Sequence, residues 1–472
     1  MSPTILAILL LISGSISFFF LTRRHNPNKA GRKLPPGPRP LPIIGNLHNL
    51  TTLPHRGLQS LSQKYGQIMY LRLGQVPTTV ISSPRAAELF LKTNDIVFAS
   101  LPKIQASDYF SYGSKGLVFS DSSKIESFAA LRKEEVGAVV EAGKGVAAAR
   151  GVVDLSEKVG KLVEDISSRI VFGSNKDRRF DLRELIEEGL ILSGAFNVSD
   201  YVPYLAPFDL QGLARRMKKV SKKIDEVLEK IIKEHEQKAN GEHQDFADVL
   251  LSLMNQPMNP QDDQPSYLMT ASFDTSATTI VWSFSELLKN PRVMKNLQQE
   301  LESVIGLDRM VEERDLGKLS YLDMVVKESF RLHPLAPLLV PRESTEDITI
   351  EGFFIPKKPR IIVNTWTIGR DPNVWLENVE DFYPERFVGG DIDEAKGKDF
   401  RLLPFGSGRR GCPGIQMGIV TVRFILAQLV HCFNWELPSG MQPKDLDMTE
   451  NCGIIMGRAS HLLAKPTYRL AI

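Results

Sequence analysis

The chain opens with an uncharged, largely apolar run, Thr4 to Leu21. At 1.5 Å per residue such a run reaches about 27 Å as a helix, just enough to cross a bilayer. Beyond residue 43 the pattern turns to helical spacing. Apolar positions recur every three or four residues over Glu157 to Val171, Leu213 to Lys233, Val293 to Val304 and Leu322 to Leu332, the second with lysines on its outer face. A further helix is predicted from Pro265, a favourable first residue behind Asp262 and Asp263, to Leu288, where Asn290-Pro291 stops it. Strand-like segments are short: Ile68 to Leu73, Thr78 to Ile81, Ile348 to Ile350 and Arg360 to Val363. Polar stretches at Lys238 to Gln244 and Asn255 to Gln264 read as surface loops. The pattern predicts a mainly α fold with small β-sheets, forming one body over residues 43–472.

Charge gives the first segment a direction. Arg23, Arg24, Lys29, Arg32 and Lys33 follow the apolar run, which places that end in the cytosol and the chain start in the lumen. A cleaved signal peptide is the rival reading, but its positive charge normally comes before the apolar run. Residues 1–22 are thus expected to be a transmembrane anchor. Residues 23–42 form a basic, proline-rich hinge (Pro35-Pro36-Gly37-Pro38 within it), either a stiff spacer or a flexible linker. The whole chain carries a net charge of only +2, so nothing global points to nucleic acid. Its cysteines are Cys412, Cys432 and Cys452, neither a disulfide framework nor a zinc spacing.

The candidate chemistry lies at Pro404-Phe405-Gly406-Ser407-Gly408-Arg409-Arg410-Gly411-Cys412-Pro413-Gly414. This glycine-rich loop delivers a cysteine to the start of an apolar helix, Ile415 to Phe433. Glycines let backbone N–H groups approach a sulfur closely. A helix start and nearby arginines are expected to favour thiolate over thiol. A lone cysteine beside a loop is ordinarily a plain buried residue. Here the string fits Phe-x-x-Gly-x-Arg-x-Cys-x-Gly in full, at Phe405, Gly408, Arg410, Cys412 and Gly414, and it resembles the haem-binding loop of the cytochrome P-450 superfamily. The resemblance implies that Cys412 is the axial ligand of the haem iron. Arg410 would hold a haem propionate, and Arg342, in Val340-Pro341-Arg342, would be a second propionate contact.

Two other strings belong to the same pattern. Glu328-Ser329-Phe330-Arg331 and the downstream Pro384-Glu385-Arg386-Phe387 resemble the family's Glu-x-x-Arg motif and its partner, so Glu328, Arg331 and Arg386 are implied to form a buried structural ion-pair network. Ala271-Ser272-Phe273-Asp274-Thr275 resembles the family's oxygen-pocket string, with Ser272 in place of the usual glycine. There Asp274 and Thr275 would help deliver protons to dioxygen. The resemblance is closest to plant A-type microsomal members. It implies a monooxygenase of the endoplasmic reticulum membrane with its catalytic domain in the cytosol, taking electrons from NADPH through a separate reductase. One oxygen atom would enter a small lipophilic substrate. Thiolate donation favours O–O cleavage. Phe110, Phe119, Ala271, Leu335 to Leu339 and Ile454 to Ile455 are candidate pocket walls.

The chain departs from that pattern in two places. Phe119-Ser120-Asp121 runs straight into Ser122-Ser123-Lys124, where the family carries a helix with Trp-Arg-x-x-Arg, and no tryptophan lies in this region. The helix after Pro265 also begins late. Three readings follow: an active monooxygenase, an impaired relative that binds little haem, and a haem-thiolate isomerase or dehydratase that needs no reductase. The Asp274-Thr275 pair disfavours the third.

Overall fold

A computed structural model describes residues 13–14, 32–110, 128–172, 182–238, 266–376, 378–389, 392, 397–438 and 440–471. Apart from Ser13 and Gly14 the expected membrane anchor lies outside these residues, as do Phe119, Pro265 and the segment where the Trp-Arg-x-x-Arg helix was expected. The longer helices are α1 (Pro54–Tyr65), α2 (Ala129–Ala148), α3 (Leu155–Phe172), α4 (Leu182–Gly194), α5 (Leu213–Lys238), α6 (Ser266–Lys289), α7 (Pro291–Ile305), α8 (Ser320–Leu332) and α9 (Ile415–Cys432). The strands are β1 (Ile68–Leu73), β2 (Val76–Ile81), β3 (Val153–Asp154), β4 (Arg342–Glu343), β5 (Ile348–Ile350), β6 (Phe353–Ile355), β7 (Arg360–Val363), β8 (Phe433–Glu436), β9 (Glu450–Cys452), β10 (Met456–Arg458) and β11 (Leu463–Tyr468).

The helices carry the body and the strands sit at its margins. One sheet has the order β1-β2-β7-β4, with β2 and β7 parallel and the other neighbours antiparallel. A second joins β3, β11 and β8, and two hairpins pair β5 with β6 and β9 with β10. The core is built on α9, whose residues from Ile419 to Cys432 are almost all buried against α6, α7 and α8. Among the described residues α9 is the helix long and apolar enough to cross a membrane, yet most of it is enclosed by protein. A helix that is apolar all round must be buried somewhere, and here the fold does it. α6 ends at Lys289 and α7 begins at Pro291, where a missing N–H costs nothing.

Three contacts were not visible in the pattern. α2 is rich in alanine and glycine and shows no strong apolar period, although it buries Arg132, Val136 and Val140; Gly143 lies where a Cβ would come within 2.7 Å of the Phe433 ring. The proline-rich hinge, expected as a spacer or linker, is neither over its described part. The amide of Tyr70 donates to Pro36 O (2.8 Å) and that of Phe354 to Lys33 O (2.7 Å), so this stretch lies along β1 and β6. At Gly37 a Cβ would come within 1.8 Å of Tyr70 O, so only glycine fits. β1 is an edge strand, and prolines cover such an edge without extending it. Finally, α1 is clasped to β9: the Glu450 carboxylate accepts from Arg56 Nε (2.9 Å) and lies 3.1 Å from His55 Nε2. Burial raises this carboxyl, but the His55 and Arg56 contacts outweigh it and hold it at about 2.

Candidate haem-thiolate site

The glycine loop turns twice before it reaches the sulfur. Gly406 (φ +67°) and Gly408 (φ +71°) take left-handed conformations, and a 3-10 turn spans Gly408–Arg410. The amide of Cys412 donates to Phe405 O (2.8 Å), closing the loop, and Gly418 N to Gly414 O (2.8 Å) opens α9. A Cβ at Gly408 would meet Leu91 O at 2.2 Å. Gly408→Ala therefore combines a disfavoured φ with a clash, and a loss of at least about 2 kcal/mol is expected in thermal melts.

Cys412 is open to solvent, yet protein around it pushes the thiol up, partly offset by the Gly414 amide. Arg409 turns to Asp95 (Nε to Oδ2, 3.3 Å), and Arg410 donates from Nε to Ala99 O (2.8 Å).

Arg342 lies behind the same turn. It donates from Nη2 to Ser407 O (2.6 Å), while Nη1 is buried without a hydrogen-bond partner among the described residues, 3.5 Å from Asp95 Oδ1. Burial lowers its pKa, Asp95 raises it, and Arg410 lowers it further. Arg342 and Arg409 thus share the Asp95 carboxylate, with Arg410 close enough to Arg342 to lower its pKa. An orphaned buried donor in a cation-rich corner beside a cysteine fits a group that carries both a metal and carboxylates.

Two braces hold the loop. On one side, the rings of Phe330 and Phe405 meet edge to face at 5.4 Å, tying the loop to α8. On that helix Arg331 makes a bidentate pair with Glu328 (2.7 and 2.8 Å), and Arg386 Nε donates to the same carboxylate (2.9 Å). The Glu328 and Arg331 side chains are fully buried. Arg331 Nη1 reaches Gly369 O (2.6 Å) and Val379 O (2.7 Å), and Tyr383 N donates to Glu328 (2.8 Å). The three residues are therefore together. On the other side is α6: a Cβ at Gly418 would lie 3.8 Å from the Phe405 ring and 4.0 Å from Ser276 Oγ. Thr275 is half-buried and Asp274 exposed, with Thr278 Oγ1 at 3.5 Å from Asp274 Oδ1. Thr279 Oγ1 donates to Thr275 O (3.0 Å), the backward bond that loosens a helix locally.

Some candidate wall residues touch neighbouring elements. Phe110 packs on Gly189 of α4, Gly194 at its end meets Ile454 N, and Met456 N donates to Leu335 O (2.8 Å). Ala271 is described in its backbone alone. Sequence reasoning missed Asp95 and Leu91, which no local spacing relates to the loop. It also missed Trp282, stacked on His333 at 4.1 Å, with His333 2.7 Å from Glu286.

Comparison with known proteins agrees with this geometry. The cytochrome P-450 family model matches residues 35–463. Cytochrome P-450 CYP736A12 of Panax ginseng is 51% identical, covering 100% of both chains. Cytochrome P-450 71A9 of Glycine max is 41% identical (92% of this chain, 93% of the relative), and flavonoid 3'-monooxygenase of Arabidopsis thaliana is 38% identical (95% and 94%). The first alignment runs over 502 positions and this chain has 472 residues, so at least 30 aligned positions lack a residue from this chain. With matches over nearly its whole length, the chain belongs to the cytochrome P-450 family of haem-dependent monooxygenases.

Proposed function

We propose that this chain inserts one oxygen atom from O2 into a small lipophilic molecule of plant specialised metabolism, with electrons from NADPH passed on by a separate cytochrome P-450 reductase. The observation that supports the reading is the glycine loop carrying solvent-exposed Cys412, with buried Arg342 donating to Ser407 O of the same loop while its Nη1 makes no hydrogen bond among the described residues and stands 3.5 Å from Asp95. Cys412 would ligate the haem iron, with Phe405, Gly408 and Gly414 shaping its loop and Arg342 and Arg410 taking the propionates. When bound, the haem supplies dioxygen activation, with thiolate donation favouring O–O cleavage. Asp274 and Thr275 would carry protons. The Asp274 carboxylate is exposed and can exchange with water, and the neighbouring Thr275 hydroxyl would pass the proton inward. Glu328, Arg331 and Arg386 would act structurally. Residues 1–22 would anchor the chain in the endoplasmic reticulum membrane, with residues 23–42 joining them to a cytosolic domain at 43–472.

The reduced, carbon-monoxide difference spectrum of the wild type beside Cys412→Ala tests the assignment. A red-shifted Soret band is expected in the wild type and none in the variant. A band surviving in Cys412→Ala overturns Cys412 as ligand. The alignment positions that this chain lacks support a second reading, an impaired relative with weak haem affinity. That reading predicts no band from folded wild-type protein.

A further inference from the structure

We propose that Asp95 is a positioning residue that latches the cysteine loop, resting on the reading of Cys412 as the haem ligand. Asp95 lies just beyond the short helical turn Leu89–Thr93, far from the loop in sequence. Its two carboxylate oxygens accept the backbone amide of Arg409 (3.3 and 3.2 Å), and one pairs with Arg409 Nε (3.3 Å). The same carboxylate stands 3.5 Å from Arg342 Nη1, and its side chain is only 15% exposed. Gly408 fits beneath it: a Cβ there would lie 2.7 Å from Asp95 Oδ1 as well as 2.2 Å from Leu91 O. Arg410 Nε is fixed to Ala99 O on the same segment. Ser407, Gly408, Arg409 and Arg410 thus all dock onto residues 91–99 or onto Arg342, and Asp95 is the one acidic group in the joint.

The arrangement does two things. A half-buried carboxylate accepting a backbone amide is a charge-assisted bond, stronger than a neutral one. It fixes the turn three residues before Cys412, and so fixes where the sulfur stands. It also holds Arg342 within ion-pair range without satisfying its Nη1, which keeps that donor aimed and available. Asp95 acts through Arg409 and Arg342 and touches no reacting atom.

The test uses the full-length protein as purified, with Asp95→Ala and Asp95→Asn. Hydrogen exchange of the peptide covering residues 405–412 is expected to be roughly tenfold faster in Asp95→Ala, confined to that peptide and to residues 91–99. Asp95→Asn keeps an acceptor oxygen for the Arg409 amide and should stay within about threefold of wild type. In parallel, haem transfer to an excess of an acceptor globin should be roughly tenfold faster for Asp95→Ala, with loss of the red-shifted Soret band, and near wild type for Asp95→Asn. Unchanged loop exchange in Asp95→Ala overturns the proposal. So does acceleration spread evenly over the domain, which would mark a general structural role. Faster loop exchange with wild-type haem transfer overturns the positioning role. Should the wild type show no thiolate band, the Cys412 reading falls, and the exchange experiment alone decides whether Asp95 latches the loop.

Discussion

Replacing Glu328 by alanine is expected to cost about 3–5 kcal/mol, a large share of a typical domain's stability. The carboxylate is fully buried and accepts bonds from Arg331, Arg386 and the Tyr383 amide. Without it two guanidinium groups remain buried with only carbonyl partners, among them Gly369 O and Val379 O for Arg331. The penalty comes from those stranded charges, because a well-paired buried ion pair contributes little beyond its own desolvation. Glu328→Gln keeps an acceptor and should fall between wild type and alanine. Chemical denaturation of all three proteins checks this. A loss below about 1 kcal/mol for the alanine variant would show that the network relaxes and is not a structural keystone.

The clasp between α1 and β9 should dominate the acid limb of stability. The Glu450 carboxyl is held at about 2 in the folded chain against an ordinary 4.5. A depressed carboxyl stabilises the folded state fully above its unfolded pKa and loses that contribution as pH falls toward its folded value. The window here is pH 4.5 down to about 2, and the size is on the order of 3 kcal/mol. Glu450→Gln should therefore be less stable than wild type at neutral pH by about that amount. The gap should narrow steadily below pH 4.5 as the wild-type carboxylate takes up its proton. Denaturant midpoints of both proteins across that range measure it, and a gap independent of pH would refute the assignment to charge.

Much of the site was legible because its information is local. The Cys412 loop, the Glu328 and Arg331 pair and the Arg386 string each declare themselves within a dozen residues. The helices from α6 to α9 also lie close to the predicted spans, since strong apolar periods and Asn290-Pro291 mark them. What was hidden is of two kinds. α2 shows no strong apolar period because alanines and glycines are spread round it, and its buried Arg132, Val136 and Val140 do not stand out in the sequence. Asp95 and Glu450 act across most of the chain, and no spacing rule connects them to Arg409 or His55. Likewise Arg409 and Arg410 flank Cys412 in sequence, yet their side chains turn to Asp95 and to Ala99 O.

The proline stretch bound to β1 sets a leash. With Lys33 and Pro36 fastened to the globule, the proposed bilayer anchor, ending near Leu21, would be separated from it by about eleven residues. Fully extended, that is at most about 40 Å. Under the proposed membrane anchor, the β1 and β6 side of the molecule, with exposed Leu41, Ile43 and Ile44, would stay within that reach of the lipid surface. The proposed reductase would then approach from the remaining directions.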